Sequence, residues 1–258
     1  MEFSDFDRQS IELLEALPNR QSKHCFRSAI SHLERAEILF PIDNPMAILR
    51  CITAEEEAAT GLMYCLKDLG YLNAEKLSTW SHTHKNVFVS FLRILCQFVE
   101  DSFRQYEVET FLCHKEEKGE VRLKFEATMI SNGQLIHFIP EPPLSIVLRH
   151  QGKRFSYKPQ IKKLLKSKNA QDIKKHIEAN AKLRNKILYA SPNGYPSKIE
   201  VEDKFFPAYQ SRILALLRTY LLIEPYKEHQ PFVQDSLDAL LAMINIIKPE
   251  ALNLHENF

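Results

Sequence analysis

The sequence lacks any long apolar run. Its 258 residues contain no stretch of eighteen or more apolar residues, about the length that a transmembrane helix requires. The first twenty residues, MEFSDFDRQSIELLEALPNR, have neither the basic start nor the continuous apolar run of a signal peptide. We therefore expect a cytoplasmic protein that makes no contact with a membrane.

The chain also lacks the cysteine pattern of a disulfide-rich or zinc-binding protein. Its five cysteines are odd in number, have no CxxC spacing and mostly lie among apolar residues in helical patterns. Reduced, packed thiols are expected in such surroundings. A phosphate loop, a GxSxG elbow, a GxGxxG fingerprint and an HExxH motif are absent as well, and we predict no cofactor.

What the sequence does contain is a series of helical apolar patterns around a short β-rich stretch. Apolar residues make up 45% of the chain, enough for a sizeable core. Apolar spacings of three and four predict a short helix or arm in the first twenty residues and helices over 22–40, 45–69, 84–104, 158–167, 170–190, 200–222 and 231–247. Alternation predicts strands over 107–112, 121–129, 135–139 and 144–149, with an Asn132-Gly133 hairpin turn. The predicted fold is mainly α: one antiparallel helical bundle over residues 1–258, with a small antiparallel β insertion at 105–150.

A charged residue interrupts the apolar face of the helix predicted over 170–190. Ile173, Ile177, Ala181, Arg184 and Leu188 follow one another at steps of four, four, three and four, which places Arg184 where the core is expected. A guanidinium on an apolar face needs a carboxylate, a phosphate or several carbonyls to offset its lost hydration. This position is therefore either a structural ion pair or part of a site.

Candidate partners of Arg184 lie on two other predicted helices. Glu55 falls on the apolar seam of the helix over 45–69, Glu56 lies beside that seam, and His84 heads the inner face of the helix that follows. If these helices are neighbours, three groups converge: Glu55 or Glu56, His84 with Lys85, and Arg184 with Asn185. A buried ion pair that orders the bundle and a polar pocket for a phosphate or ribose both remain open.

Positive charge is concentrated just before Arg184. Residues 153–186 contain twelve Lys and Arg against Asp172 and Glu178, although the whole chain carries a formal charge of only +1. Such a segment is typical either of a surface for a polyanion, usually nucleic acid, or of solvated lysine-rich helices. Lys175 and Lys182 are the members of this segment that we assign to substrate binding.

One further pattern indicates a metal-dependent hydrolase as a lesser alternative. His82 and His84 form the only tight histidine pair, and with a carboxylate such as Glu56 they could hold a metal ion. A histidine at a helix start is more often a capping or packing residue. The main prediction therefore includes no metal site.

The segment Arg184-Asn185-Lys186-Ile187-Leu188-Tyr189 resembles the RNxxxH element of the HEPN superfamily, helical domains of prokaryotic defence and toxin systems. It is most similar to the abortive-infection type V branch, whose pattern of Arg, Leu-Tyr, a short turn and Pro corresponds to Arg184, Leu188-Tyr189, Asn193-Gly194 and Pro196. The AxEE element and the His-Lys pair of that branch correspond to Ala54, Glu56 and Glu57, and to His84-Lys85. The chain differs where the branch has Gly-Lys, since Ala59-Thr60 stands there.

This resemblance implies a HEPN-like bundle that acts on RNA as a metal-independent endoribonuclease, often as a homodimer. Arg184 and Asn185 would lie at the scissile phosphate, and Lys85, Lys182, Lys175 and Glu56 would bind the substrate. The histidine of the motif is Tyr189 here, and a tyrosine, with an unperturbed pKa near ~10, is a poor base at neutral pH. Tyr189 could still act in the catalytic site by orienting a phosphate or donating a hydrogen bond, or it could equally be a core aromatic. His84 could supply the base from another helix. The alternative is a HEPN-fold module that binds RNA, a nucleotide or a protein without catalysis.

Overall fold

The computed structural model describes residues 2–105, 107–117, 119–131, 134–147, 149–150, 153–154, 168–189, 194, 196 and 198–251. Its helices are α1 (Asp5–Ala16), α2 (Gln21–Leu39), α3 (Asn44–Asp68), α4 (His82–Gln105), α5 (Lys168–Leu188), α6 (Phe205–Ile223) and α7 (Pro231–Ala251). The predicted mainly α class is confirmed. No helix in the described ranges combines the length and the apolar composition needed to cross a membrane.

Local side-chain caps explain where two of the helices begin. The Ser4 hydroxyl accepts a hydrogen bond from the backbone N–H of Asp7, whose carboxylate accepts one from the Ser4 N–H at 2.9 Å, forming a capping box before α1. The Asp43 carboxylate accepts from the N–H of Met46 at 3.1 Å. Pro45 lies in the first turn of α3, where a missing N–H costs nothing.

The core is centred on α2, α3 and α6. Phe26 of α2 and Tyr220 of α6 are fully buried, and their rings stack with centroids 4.7 Å apart. Ile48 and Leu62 of α3 are fully buried as well, in the positions that the apolar seam predicts. The sequence pattern of these helices therefore gives their buried faces directly.

The β insertion forms an antiparallel sheet in the order β1-β2-β3, from β1 (Glu109–Glu117), β2 (Glu120–Ser131) and β3 (Gln134–Phe138). Leu112 of β1 lies opposite Phe125 of β2, and Ser131 lies opposite Gln134 at the turn between β2 and β3. A separate two-stranded ladder joins β4 (Arg149–His150) and β5 (Lys153–Arg154). The small antiparallel β element is thus confirmed.

The central strand β2 is buried on both faces. Leu123 and Ala127 are buried on one face, while Lys124 and Glu126 are buried on the other. Lys124 is paired with two carboxylates, and Glu126 is paired with Lys115. The alternation in β2 therefore separates apolar residues from paired charges, not buried residues from exposed ones.

The strand predicted over 144–149 is wrong for most of its length. Residues 144–147 pair with no strand in the described part of the chain, and of this range only Arg149 belongs to a ladder. The Leu144 N–H donates instead to the side-chain oxygen of Gln230 at 2.6 Å, which ties this segment to the start of α7. The predicted Asn132-Gly133 turn and the helix predicted over 158–167 lie outside the described residues.

Candidate functional site

Helices α3, α4 and α5 contact one another, so the helices that carry the predicted site residues are indeed neighbours. Their junction contains polar and charged side chains with low exposure, among them Glu55, Glu56, Lys85, Asn86 and Asn180. The Asn180 side-chain amide donates to the Asn86 side-chain oxygen at 3.4 Å and links α5 to α4. Buried polar groups of this kind need partners, and the partners differ from those that the sequence predicts.

Glu56 is paired with His82, the first residue of α4. Both Glu56 carboxylate oxygens lie 2.8 Å from His82 Nδ1, and the His82 side chain is 45% exposed. An ionised carboxylate can only accept, so Nδ1 carries the proton in this bond. A carboxylate on one ring nitrogen fixes the tautomer and leaves Nε2 as the basic atom of a neutral imidazole. The sequence pattern indicates His82 only as a metal ligand and does not predict its pairing with Glu56.

His84 is a packing residue in this structure. It is 1% exposed, and its Nδ1 accepts a hydrogen bond from the backbone N–H of Ser78 at 2.9 Å. Because a backbone N–H can only donate, that bond uses the Nδ1 lone pair. The prediction that His84 supplies a catalytic base is therefore contradicted by its burial and its tautomer.

Lys85 also lies inside the junction, with 9% of its surface exposed. Burial raises the pKa of the nearby Glu57 carboxyl, and the positive charge of Lys85 acts in the opposite direction. Lys85 thus compensates a carboxylate between α3 and α4. This burial contradicts the prediction that Lys85 guides an RNA strand.

Glu55 is paired with Arg212 of α6 and not with Arg184. Glu55 is 3% exposed, and burial raises its pKa while the Arg212 guanidinium opposes that shift. The guanidinium carbon of Arg212 lies 4.3 Å from the centre of the Tyr209 ring. Arg212 follows Tyr209 by one helical turn and is therefore a charged residue beside an apolar stripe, like Arg184. The same sequence pattern could have identified Arg212 as a partner for Glu55.

Arg184 lies on the buried face of α5, between Ile177 and Asn180 around the helix axis, although it is itself only half-buried. Ile177, Asn180 and Ile187 are buried, whereas Leu188 is 39% exposed. The buried face is therefore rotated toward Asn180 and Ile187 relative to the prediction, and Arg184 is half-buried. Within the described ranges the Arg184 side chain has no hydrogen bond or ion pair, and Glu55 and Glu56 pair with Arg212 and His82 instead. Of the two alternatives left open by the sequence, the described part of the structure therefore does not contain the ion pair of Arg184 with Glu55 or Glu56.

The outer half of α5 carries cations, an amide and an aromatic ring. At 100° per residue, Lys175, Lys182, Asn185, Lys186 and Tyr189 all lie in this half, and each is exposed. The Tyr189 ring is 66% exposed, so it is a surface aromatic and not a core residue. The other lysines of the basic segment have no described side chains, so their predicted role lies outside the described part.

The only tryptophan of the chain lies beside the Glu56–His82 pair in sequence. Trp80 is 88% exposed in the turn that precedes α4, two residues before His82. An exposed aromatic ring is available to stack on an unpaired base. The exposure of Trp80 could not be predicted from the sequence, because a single tryptophan belongs to no periodic pattern.

The alternative metal site is not assembled. Within the described residues there is no group of three or more His, Cys, Asp and Glu side chains that could hold a metal ion. Glu56 and His82 are bonded directly to each other, and His84 bonds to the Ser78 backbone on a different side of the turn. His82, His84 and Glu56 therefore do not form a ligand set here.

Comparison of the chain with family models, with curated proteins and with solved structures gives no match. The resemblance to the HEPN superfamily thus rests on the short motifs alone.

Proposed function

We propose that this protein binds RNA through the outer half of α5, as a HEPN-like protein of the prokaryotic defence or toxin type. The observation that carries the proposal is the composition of that surface: exposed Lys175, Lys182 and Lys186 around Asn185, ending at the exposed ring of Tyr189. Lysines neutralise backbone phosphates, and an exposed aromatic ring stacks on an unpaired base. A single strand offers both groups along one path.

Arg184 offers a further contact for an RNA phosphate next to this surface. Its guanidinium is half-buried and has no acceptor among the described residues, so it has donors available for a phosphate. Asn185 lies between Arg184 and the outer lysines on the helix. Arg184 projects from the inner side of α5, so a strand on the outer half has to pass Asn185 and cross the edge of the helix to reach it.

Two contacts favour a direction of α5 that brings Arg184 toward the Glu56–His82 pair. Asn180 contacts Asn86, and beyond the end of α5 the Ile199 N–H donates to the side chain of Asn44 at 2.7 Å, at the start of α3. These contacts favour an α5 that runs toward the N-terminal end of α3. Arg184, one turn after Asn180 on α5, would then lie nearer than Asn180 to the N-terminal end of α3.

His82 also lies toward the N-terminal end of α3. It contacts Glu56, whereas Phe88 and Leu95, further along α4, line a cavity together with Leu66, further along α3. His82, which precedes Asn86 by one turn of α4, therefore lies closer than Asn86 to the N-terminal half of α3. This placement supports a common site for Arg184 and His82.

Cleavage of the bound RNA is the second candidate function, and the Glu56–His82 pair is the observation that favours it. In this reaction His82 Nε2 removes the proton of a 2′-hydroxyl, and the 2′-oxygen attacks the adjacent phosphorus. The bond to the 5′-oxygen breaks, that oxygen takes a proton from water, and the hydroxide so formed takes the proton held by His82. A 2′,3′-cyclic phosphate remains. Arg184 stabilises the charge that develops on the phosphate. No metal ion takes part.

Binding is tested by titrating a labelled single-stranded RNA at several salt concentrations. Replacing both Lys182 and Lys186 with alanine should weaken binding and reduce the slope of log affinity against log salt by about one per lysine. Lys227→Ala, an exposed lysine away from α5, is the matched control and should leave the slope unchanged. Failure of the wild-type protein to bind RNA even at low salt would refute the proposal.

Cleavage is tested by incubating the protein with RNA in EDTA and mapping 2′,3′-cyclic phosphate ends. Arg184→Ala and His82→Gln should each remove these ends while RNA binding persists, and His137→Gln, at an exposed histidine of β3, should not. If the wild-type protein gives the same RNA profile as buffer, the protein binds RNA without cutting it.

A further inference from the structure

A cavity of about 300 Å³ lies in the half of the bundle that contains α4, α6 and α7, with the β insertion at one side. Its wall consists mainly of aliphatic and aromatic side chains such as Leu62, Phe91, Leu222 and Leu240, and Leu112 of β1 closes one side. None of the residues of the RNA site lines it. Concave apolar sites of at least this size are typical of small-molecule binding.

The polar groups in the wall offer one free donor and two acceptors. Among the described residues of the wall, Arg218 is the only charged one. Its Nη2 is paired with the Asp7 carboxylate, and its buried Nε has no hydrogen-bond acceptor in the same part of the chain. The hydroxyls of Thr219 and Ser236 donate to carbonyl oxygens of their own helices at 2.8 Å and 2.7 Å. Their oxygens remain able to accept.

Charge and size then restrict the occupant. Asp7 already neutralises Arg218, so a second carboxylate in the cavity would lie close to an existing one, and the described residues of the wall supply no further cation. A neutral molecule avoids that repulsion. At ~30 Å³ for each heavy atom, the volume accommodates roughly ten heavy atoms.

We propose that this cavity binds a neutral amphiphile: an apolar chain of about ten heavy atoms with one hydroxyl at its polar end. The hydroxyl oxygen accepts the hydrogen bond from Arg218 Nε, and its proton is donated to Thr219 or Ser236. The apolar chain fills the space among the leucine and phenylalanine side chains. This site is independent of the RNA surface on α5.

Cys96 provides a direct reporter of occupancy. It lines the cavity and is exposed, whereas Cys25, Cys51 and Cys65 are buried. Labelling with a thiol reagent in the presence of 1-nonanol should slow modification of Cys96 at least several-fold and leave the partly buried Cys113 unaffected. Isothermal titration with 1-nonanol, nonanoate and nonane gives the affinities, and 1-nonanol should bind at least tenfold more tightly than either of the others.

Two variants locate the site. Ala215→Leu adds side-chain volume at the cavity wall and should abolish protection of Cys96, whereas Ala242→Leu, at a half-buried alanine outside the wall, should not. Arg218→Lys keeps a cation for Asp7 but removes the Nε donor, so it should remove the preference for 1-nonanol over nonane. No binding of 1-nonanol, equal binding of nonanoate, or undiminished protection in a folded Ala215→Leu protein would each overturn the proposal. RNA binding should be unchanged in all of these variants.

Discussion

His82 and His84 are two residues apart at the start of α4, and their surroundings give them different chemistry. The His84 ring is enclosed and its Nδ1 lone pair is used by a backbone donor. The His82 ring is almost half exposed, and Glu56 holds its Nδ1. A histidine that acts as a base, one that binds a metal and one that packs in the core can share the same sequence spacing. Only the hydrogen-bond partners of each ring nitrogen distinguish these three roles.

The Glu56–His82 pair leads to a prediction about Glu56→Gln. The amide keeps the shape of the side chain but removes the ionised acceptor that fixes the His82 tautomer. If the pair acts in cleavage, the cleavage rate should fall by about 10²–10⁴-fold, the usual contribution of a positioned base, while RNA affinity stays within about twofold of wild type. Single-turnover cleavage and RNA titration measure the two quantities. Equal loss of binding and cleavage would show that Glu56 only maintains the fold.

Trp80 allows RNA binding to be followed without a label. Because it is the only tryptophan and is 88% exposed, its emission reports on the turn before α4 alone. A base that stacks on the ring or orders this turn should quench the emission and shift its maximum as RNA is added. In the Lys182→Ala/Lys186→Ala protein the same change should require more RNA. Emission that stays constant through a full binding titration would place the RNA away from α4.

His114 gives the stability of the protein a defined pH dependence. Its ring packs on Phe6, and burial together with the charge of Arg218 lowers its pKa below the ordinary value. The folded state therefore favours the neutral ring, and its contribution is present above the unfolded pKa near ~6.5 and is lost as the pH falls below it. His32, whose pKa burial also lowers, acts in the same direction.

The measurement is the melting temperature of the wild type and of His114→Gln between pH 7.5 and 5.5. The wild type should lose stability as the pH falls, and the variant should lose less, with His32 accounting for part of the remainder. Identical slopes for the two proteins would contradict a protonation role for His114.

At the scale of the element, α2 and α3 pack tightly at Gly61. A Cβ added there would lie 2.8 Å from two ring atoms of Phe26, and that ring is fully buried against Tyr220. Gly61→Ala should therefore destabilise the protein by about 1–2 kcal/mol, since overpacking costs ~1–3 kcal/mol and alanine recovers up to ~1 kcal/mol of helix propensity. Urea unfolding measures this difference.

A double-mutant cycle with Phe26→Leu isolates the contact. The smaller side chain removes the ring atoms, so Gly61→Ala should cost much less in that background. Additive losses in the cycle would mean that the close approach to Phe26 is not the cause.

The helices and strands show how far the sequence predicts the fold. The apolar seam of α3 and the period-two pattern of β2 were enough to place both elements. On α5 the same kind of pattern placed the helix correctly but missed its rotation, because Asn180 is buried through its contact with Asn86, which no hydrophobicity pattern contains. Leu144 was assigned to a strand for a similar reason: its N–H is satisfied by a side chain far away in the chain.

The candidate site was predicted less well than the fold because it depends on pairing across the whole molecule. The sequence identified charges on apolar faces, and Glu55 and Glu56 are indeed buried. It could not assign the partners, since Arg212 and Arg184 present equivalent signals on two helices that both pack against α3. Partner choice follows from helix rotation and order, and neither is encoded in a local spacing.

On the scale of the whole molecule, Lys124 joins the sheet to the segment that leads back into the bundle. Its side chain is fully buried, lies 2.9 Å from the Glu117 carboxylate and is also paired with Glu141. Burial alone would lower the pKa of Lys124, but its hydrogen bonds with Glu141 and Glu117 raise it above the ordinary value. The ammonium lies 5.9 Å from the centre of the Tyr226 ring in the loop before α7.

Lys124→Met removes these links but keeps most of the volume. Both carboxylates are about half exposed and can be rehydrated, so we expect a loss of about 1–3 kcal/mol, less than the 3–5 kcal/mol of a fully buried broken pair. Arg104→Met, which breaks an exposed pair within α4, is the control and should change stability by less than about 0.5 kcal/mol. Because the sheet packs on the bundle through Leu123 and Leu112, helix circular dichroism and hydrogen exchange of β2 should report one common transition in both variants. Separate transitions for sheet and helices in the wild type would show instead that the insertion unfolds independently and that Lys124 stabilises only the sheet.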